Sequence, residues 1–330
     1  MKPAETLSLA DLIGITVDHR RLHLTIMPTE KCNFRCTYCY EDFSVGRMKR
    51  PVIDALKRLI ASRAGDLKQL SISWFGGEPL LQREIVEEVS GFAHGLCRET
   101  GCTFRGDVTT NAYLLGLDTA AGLVSCGVRH FQVSLDGDRD THGLTRRLAN
   151  GGNSFDVIWG NLLAIRGSSL DLRVRLRVHY TGASEAGLAD FGRTLAEVFG
   201  GDERFDLFVR PISRLGGEND AAIAPVSLEA NRKVVERVRG AVEGSGLSPT
   251  TWDLGEGAPL CYAAAPNHFL VRADGRIGKC TVALRQDVNS VGELRPDGTL
   301  ALDQDKLRKW SRGLASGDRG ELTCPMRGIA

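Results

Sequence analysis

No uninterrupted hydrophobic run in this sequence approaches the length of about 20 residues that a membrane-spanning helix needs. The N-terminus also lacks a basic stretch followed by an apolar core, so no secretory signal is read and a cytoplasmic location is expected. Charge is balanced as well. With 42 lysines and arginines against 41 aspartates and glutamates, the net charge is +1, which offers no electrostatic case for a nucleic acid or an anionic membrane as partner. No low-complexity tract and no fixed-period repeat is present. Hydrophobic content of 42% and charged content of 25% are those of an ordinary globular chain. At 330 residues the chain suits one large α/β domain plus a small appendage.

Cysteine, by contrast, is not scarce. Nine cysteines in a chain read as cytosolic favour metal binding over disulfides, because that compartment keeps thiols reduced. Three of them, Cys32, Cys36 and Cys39, have the spacing C-x3-C-x2-C. A cubane iron–sulfur cluster has four irons, each normally taking one thiolate. Three packed cysteines can wrap one face and leave the fourth iron open for a substrate or cofactor. A zinc knuckle is the bland alternative, but structural zinc is closed by four ligands. His23, the nearest upstream candidate for a fourth, lies inside an alternating strand pattern, poorly placed to complete a tetrahedron.

From residue 20 onward strand-like and helix-like segments alternate. Strands are predicted at Arg21–Met27, Gln69–Phe75, Thr103–Thr109, His130–Leu135, Leu172–Tyr180 and Phe205–Pro211. Helical faces are traced by Val52, Ile53, Leu56, Leu59 and Ile60, with Pro51 suited to the first turn, and by Ile85, Val86, Val89, Phe92 and Leu96. Further helices are predicted near Asp118–Cys126, over Phe155–Ile165, after the fifth strand, and near Leu228–Val242 after the sixth. Six strand–helix units imply a parallel sheet with right-handed crossovers and fall short of a closed eight-strand barrel. The expected fold class is therefore α/β, a partial (β/α)6 TIM-type barrel open along one side. In such barrels chemistry gathers at the carboxyl ends of the strands. The cysteine loop, Gly76-Gly77-Glu78-Pro79, Thr110-Asn111 and Ser134-Leu135-Asp136-Gly137 all fall at that rim.

The C-x3-C-x2-C motif, with the aromatic Tyr38 before its third cysteine, resembles the signature of the radical S-adenosylmethionine (radical SAM) superfamily. That resemblance implies a [4Fe–4S] cluster on Cys32, Cys36 and Cys39 whose open iron is chelated by SAM. Reductive cleavage of SAM would then yield a 5′-deoxyadenosyl radical that abstracts hydrogen from substrate. Gly76-Gly77-Glu78-Pro79 looks like the superfamily's GGE-type motif, whose backbone and carboxylate meet the methionine ammonium. Its two glycines also allow close approach of the main chain to a ligand; a plain strand-to-helix turn is the alternative.

The stretch from Val133 to His142, with Arg146 and Gly151–Asp156, looks like the peptide- and protein-modifying branch of the superfamily. The resemblance gives Ser134 a contact to the ribose and methionine of SAM, with Asp136 beside it, and gives Arg146 the SAM carboxylate, a task suited to its planar fork. Arg147 is adjacent and could be the true partner. Asn111 matches the asparagine of a Thr-Asn-Gly-x-Leu-Leu segment in which Ala112 stands in place of glycine. Tyr38 and Tyr40 are expected to flank the adenine, or else only to pack the loop on the rim. At the ends of strands five and six, Arg177, His179 and Arg210 are candidates for substrate contact or proton transfer from position alone.

After residue 250 the character changes. Asn267–Val271 and Arg276–Cys280 flank a hairpin signal at Ala273-Asp274-Gly275. Cys261, Gly275 and Cys280 have the form C-x13-G-x4-C, which resembles the start of a SPASM or twitch auxiliary-cluster domain. Only Cys324 follows, so Cys261, Cys280 and Cys324 could hold one auxiliary cluster, two are excluded by count, and none at all stays open. Cys97, Cys102 and Cys126 read as structural thiols. The expected organisation is an N-terminal extension at 1–20, a radical SAM partial barrel at 21–245 and a small twitch/SPASM-like region at 246–330.

The resemblance implies an enzyme acting on a peptide or protein side chain, most simply in maturing a ribosomally made precursor by cross-linking, epimerisation or oxidation. It also implies an electron donor such as flavodoxin or ferredoxin. About thirty residues precede the cluster motif, too few for a leader-recognition domain, so the rim, the C-terminal region or a separate leader-binding protein would hold a precursor. Formylglycine formation of the sulfatase-maturase kind, a small-molecule substrate, and a non-enzymatic iron–sulfur carrier or sensor are the alternatives.

Overall fold

The computed structural model describes residues 8–251 and 260–329. The first seven residues of the expected N-terminal extension and residues 252–259 of the expected C-terminal region therefore lie outside the described residues. The described residues open with helix α1 (Leu9–Val17), whose N-terminus is closed by a capping box between Ser8 and Asp11.

Six parallel strands form the framework: β1 (Arg21–Ile26), β3 (Gln69–Trp74), β4 (Thr103–Thr110), β5 (Val128–Leu135), β7 (Arg173–Tyr180) and β8 (Phe205–Pro211). They neighbour one another in that order and do not close into a ring. Each strand predicted from the sequence is present, within two residues at either end. The crossovers are α2 (Arg50–Ala64), α3 (Arg83–Thr100), α4 (Leu117–Ser125), α6 (Phe155–Arg166) and α7 (Leu188–Phe199), with α8 (Leu228–Ala241) after β8. Their apolar stripes face the sheet. In α2 these are Ile53, Leu56, Leu59 and Ile60, and in α3 Ile85, Val86, Val89 and Ala93.

Among the elements not foreseen are two short strands at the rim. Residues of the cysteine loop form β2 (Phe34–Cys36), and the turn after helix α5 (Arg139–Thr145) forms β6 (Arg146–Leu148). They pair antiparallel as a separate ribbon, with Cys36 opposite Arg146. Three-residue strands give no periodic signal, so only the tertiary pairing reveals them.

The C-terminal region extends the barrel sheet. Strand β9 (Pro249–Thr250) adds to β8, and β10 (His268–Val271) pairs parallel to β1. The predicted hairpin is present as β10 and β11 (Arg276–Gly278), followed by β12 (Gly292–Leu294), β13 (Leu300–Leu302), α9 (Gln304–Ser316) and α10 (Arg319–Thr323). Register alone does not bind this region to the rim. Arg272 Nε donates to Glu30 Oε1 at 2.9 Å and its Nη2 to Oε2 at 2.5 Å, a bidentate pair with both side chains buried.

Strand pleating sorts side chains between the helices and the lumen. On β7, Val174, Leu176, Val178 and Tyr180 are buried beneath the helices, while Arg173, Arg175, Arg177 and His179 line the two cavities of the lumen. The cavity toward the amino ends of the strands is polar. His23 Nε2 meets Ser73 Oγ at 2.8 Å there, and Ser73 Oγ donates to Asp107 Oδ2 at 2.7 Å. His23 thus belongs to this network and does not line the cavity of the three cysteines.

Enclosure pushes the Asp107 carboxyl up to about 6, with the Ser73 bond opposing. An acid raised in the folded state is most favourable below its unfolded pKa and loses that stability as pH rises through the folded one. Asp107→Asn can keep the Ser73 bond and cannot ionise. Its stability relative to wild type is therefore expected to grow by about 2 kcal/mol from about pH 4.5 to about pH 7.5. Urea unfolding at the two pH values measures this, and a difference that does not change with pH would refute it.

Candidate active site

The carboxyl ends of the strands carry a cavity whose wall brings together Cys32, Cys36 and Cys39 with Tyr38, Tyr40, Gly76, Gly77, Asn111, Ser134 and Arg146. Arg177, His179 and Arg210 line it as well. Every motif expected at the rim is there, but the side chains do not all play the parts expected of them.

The glycines are required first by the protein itself. Gly76 has φ +102°, and a Cβ on it would lie 2.5 Å from Thr29 O; a Cβ on Gly77 would run into Lys31 O. The β3 loop therefore lies directly against the chain leading into Cys32, and Glu78 N donates to Lys31 O at 2.9 Å. Glu78 is fully buried behind the wall. Its Oε1 accepts from Leu80 N at 2.9 Å and Thr110 Oγ1 at 2.8 Å, and Oε2 from Asn111 N at 2.8 Å. The carboxylate expected to meet an ammonium is thus held by three donors of the chain and pins the ends of β3 and β4 together.

Asn111 carries this order on to the cysteines. Its Nδ2 donates to Asn33 Oδ1 at 2.8 Å, and its Oδ1 accepts from Tyr113 N at 3.0 Å. Ala112 adopts φ +61°, so the turn keeps the left-handed residue for which glycine was expected, with alanine bearing the strain. Asn161 Nδ2 secures it by donating to Ala112 O at 2.9 Å. Ala112→Val places a β-branched residue in that conformation within a fully buried site. It is expected to cost about 3 kcal/mol, and a urea midpoint equal to that of wild type would contradict the assignment.

Arg146 and Arg147 separate cleanly in the short ribbon, where alternate residues face opposite ways. Arg146 is buried in the wall and Arg147 is exposed. Arg146 Nη1 donates to Tyr38 OH at 2.9 Å, its guanidinium lies 5.5 Å from the centroid of Phe34, and its Nε is buried without a partner. Tyr38 OH donates in turn to Asp136 Oδ1 at 3.1 Å. Asp136 also accepts from Thr145 Oγ1 at 2.7 Å and meets His179 Nδ1 at 3.3 Å. Burial opposes charge on Asp136, but the His179 bond and Arg146 outweigh it and hold the carboxyl down at about 2. Burial pushes His179 down to about 4, so the pair is carboxylate and neutral imidazole at pH 7. Like Glu78, Asp136 stands behind the wall and orients Tyr38 and His179, while Ser134 lines the cavity directly.

Burial pushes the thiols of Cys32 and Cys39 up to about 12, and that of Cys36 in the same direction. Such thiols need a cationic centre to deprotonate them. Among the described residues no three His, Cys, Asp or Glu converge on one point as a single-ion site requires. Cluster ligands are spread out, because each meets a different iron. With the unpartnered Arg146 Nε opposite Cys36, the donor set fits a three-thiolate cluster with a carboxylate-bearing cofactor beside it.

Two features went unnoticed in the sequence. Glu41 lines the cavity, and its Oε2 is buried without a partner; burial, reinforced by Glu30, pushes its carboxyl up to about 8. Its only sequence signal is adjacency to the cysteine motif. In the C-terminal region, Lys279 is almost wholly buried and its Nζ donates to Ala265 O and His268 O at 2.5 and 2.6 Å. Nearby, Cys261 N donates to Leu322 O at 2.8 Å, which draws the segment before Cys324 against the chain leading into the hairpin. Cys280 and Cys324 lie near enough to act electrostatically on the Cys261 thiol.

Residues 26–182 match the radical SAM family model. They form a radical SAM domain. GTP 3′,8-cyclase of Rhodopseudomonas palustris (strain TIE-1) is 32% identical over 170 residues, covering 50% of this chain and 46% of the relative. The corresponding enzyme of Chlorobaculum tepidum is 34% identical over 148 residues, covering 44% and 41%. The chain thus spans about half the length of the curated relatives it matches. Among solved structures, native anSMEcpe with bound AdoMet and Cp18Cys peptide superposes with a TM-score of 0.64 at 18% identity, covering 87% of this chain and 80% of that one. Streptococcus suis SuiB bound to S-adenosylmethionine gives 0.62 at 18% identity, covering 97% and 71%. These establish the partial-barrel fold of the radical SAM domain. No described helix is long and apolar enough to cross a membrane.

Proposed function

We propose that the chain binds a [4Fe–4S] cluster through Cys32, Cys36 and Cys39, binds SAM beside it, and modifies a peptide or protein side chain. The observation that carries this reading is the gathering of those thiols with Ser134 and Arg146 on one wall. When bound, the cluster supplies the electron that cleaves SAM homolytically. The chain's own residues would bind and orient. Arg146 offers a guanidinium to the SAM carboxylate, Ser134 a hydroxyl to its ribose side, and the backbone at Gly76 and Gly77 a surface for its methionine part. Tyr38 and Tyr40 would flank the adenine, and Glu78 and Asp136 would hold those groups in place from behind. The recessed cavity, once filled by cofactor and substrate, would keep solvent from a reactive intermediate. Cys261, Cys280 and Cys324 are proposed to hold one auxiliary cluster in a twitch/SPASM-like region. An electron donor such as flavodoxin or ferredoxin is the implied partner, and a separate leader-binding protein a further one. Precursor-peptide maturation is favoured because the Val133–Arg146 stretch resembles the peptide-modifying branch, and because structural neighbours are solved with a Cp18Cys peptide and with the precursor peptide SuiA. Sulfatase-maturase-like oxidation falls within the same class. A second reading, a nucleotide cyclase, is favoured by the identity to GTP 3′,8-cyclases.

Anaerobic reconstitution with iron and sulfide, reduction in the presence of SAM, and assay of 5′-deoxyadenosine test the reading. About four irons per chain mean the first cluster alone, and about eight add the auxiliary one. Absence of 5′-deoxyadenosine from the iron-loaded chain overturns the enzyme in favour of a carrier. Formation stimulated by GTP and by no peptide overturns the substrate class.

A further inference from the structure

The proposed SAM contacts leave the surroundings of the wall residue Arg177 unexplained. It projects from β7 into the cavity, and its Nε is buried without a hydrogen-bond partner. The charged groups named as acting on it are two further arginines, Arg210 and Arg146, and its other named neighbours are the tyrosines Tyr38 and Tyr40, neutral near pH 7. No carboxylate answers it among the described residues. Asp136 is engaged by Tyr38, His179 and Thr145, and Glu41 is influenced by Glu30, Arg272 and Asp42. Arg177 is half-buried, and enclosing part of a guanidinium without a counter-ion is costly, a cost recovered when a ligand brings the missing anion. A planar fork of donors matches a carboxylate better than any other common group in a peptide.

Position decides which carboxylate. Ser134 on β5 is in register with Arg177 on β7, and the next strand carries Arg210. Arg177 therefore lies one strand further round the arc than Ser134, away from β1 and the start of the cysteine loop. Beyond it the wall turns apolar at Pro211, Ile212 and Leu215, a surface suited to peptide backbone and aliphatic side chains.

Resting on the peptide-modifying reading, we infer that Arg177, flanked by Arg210, receives a carboxylate of the peptide substrate, either an Asp or Glu side chain near the modified residue or a free C-terminus. Arg146 keeps the SAM carboxylate, so the two guanidiniums divide two anions between them.

The test uses the full chain, iron-loaded and saturated with SAM under anaerobic conditions. Three labelled peptides of one length are compared by fluorescence anisotropy: one with an internal Glu and an amidated end, one with Gln in place of that Glu, and the Gln peptide with a free carboxyl end. The wild type is expected to favour one or both acidic forms over the amidated Gln peptide by about tenfold, and which one it favours identifies the source of the carboxylate. Arg177→Gln is expected to abolish that preference, Arg177→Lys to keep part of it, and SAM affinity by equilibrium dialysis to stay within about twofold in both. Absence of any preference in the wild type, whether all three peptides bind or none does, overturns the inference. So does a fall in SAM affinity in Arg177→Gln with loss of discrimination between SAM and decarboxylated SAM, which would assign the arginine to the cofactor. Peptide-dependent 5′-deoxyadenosine formation without charge preference would remove this inference and leave the peptide reading intact. Binding of GTP that depends on Arg177, with no peptide bound, would remove both.

Discussion

Cys36→Ala is expected to remove about four irons from the reconstituted chain and to lower 5′-deoxyadenosine formation by at least about a hundredfold. The magnitude follows from the ligand count. Three thiols line the cavity, and among the described residues no other group of three His, Cys, Asp or Glu is placed to hold a metal. Losing one leaves two thiolates for a group that needs three. Cys36 is also the thiol fixed most firmly by the fold. It ends β2 and pairs with Arg146 across the ribbon. The control is Cys97→Ala in α3. That thiol is buried among the helix's core residues and lies outside the cavity, so the variant is expected to cost about 1 kcal/mol in urea unfolding and to leave the iron count unchanged. Iron quantitation and product assay on the two variants decide the matter. A full iron count in Cys36→Ala would show that the ligands lie elsewhere.

The barrel was legible because its strands carry strong local patterns. Val174, Leu176 and Val178 alternate with arginines, and the helices between strands show clean apolar stripes, so the period of each segment announces its type and the alternation announces a parallel sheet. The cysteine spacing, the two glycines and the Ser134–Arg146 stretch were legible as motifs. What stayed hidden depends on contacts between distant residues. Nothing local in Phe34–Cys36 or Arg146–Leu148 foretells their pairing, yet that pairing separates Arg146 from Arg147. The union of β10 with β1 joins residues more than 240 positions apart, so a region set off by its change of character proved to extend the barrel sheet. Side-chain roles were the least legible. The motif placed Glu78 at the rim correctly but could not show which way its carboxylate turns, because its three donors come from Leu80, Thr110 and Asn111. Glu41 carried no pattern at all, and its burial arises only where the cysteine loop folds back toward Glu30 and Arg272.

The orientation of Glu78 leads to a second large effect. Glu78→Ala would strand a buried hydroxyl and two buried backbone N–H groups, and each unmet donor costs about 1–3 kcal/mol. The expected loss is about 4 kcal/mol in urea unfolding. Glu78→Gln tests the geometry more sharply. Its carbonyl can replace Oε1 toward Leu80 N and Thr110 Oγ1, but its amide then points a donor at Asn111 N, also a donor. That variant is expected to fall between wild type and alanine, at about 2 kcal/mol. Because Asn111 reaches on to Asn33 beside Cys32, disturbing it should also loosen the cysteine loop and reduce the iron retained after reconstitution. If Glu78 instead met only the ammonium of SAM, both variants would unfold like wild type without SAM and differ from it only in SAM affinity. Unfolding curves recorded with and without SAM separate the two cases, since a carboxylate held by its own chain is lost from the stability of the SAM-free protein first.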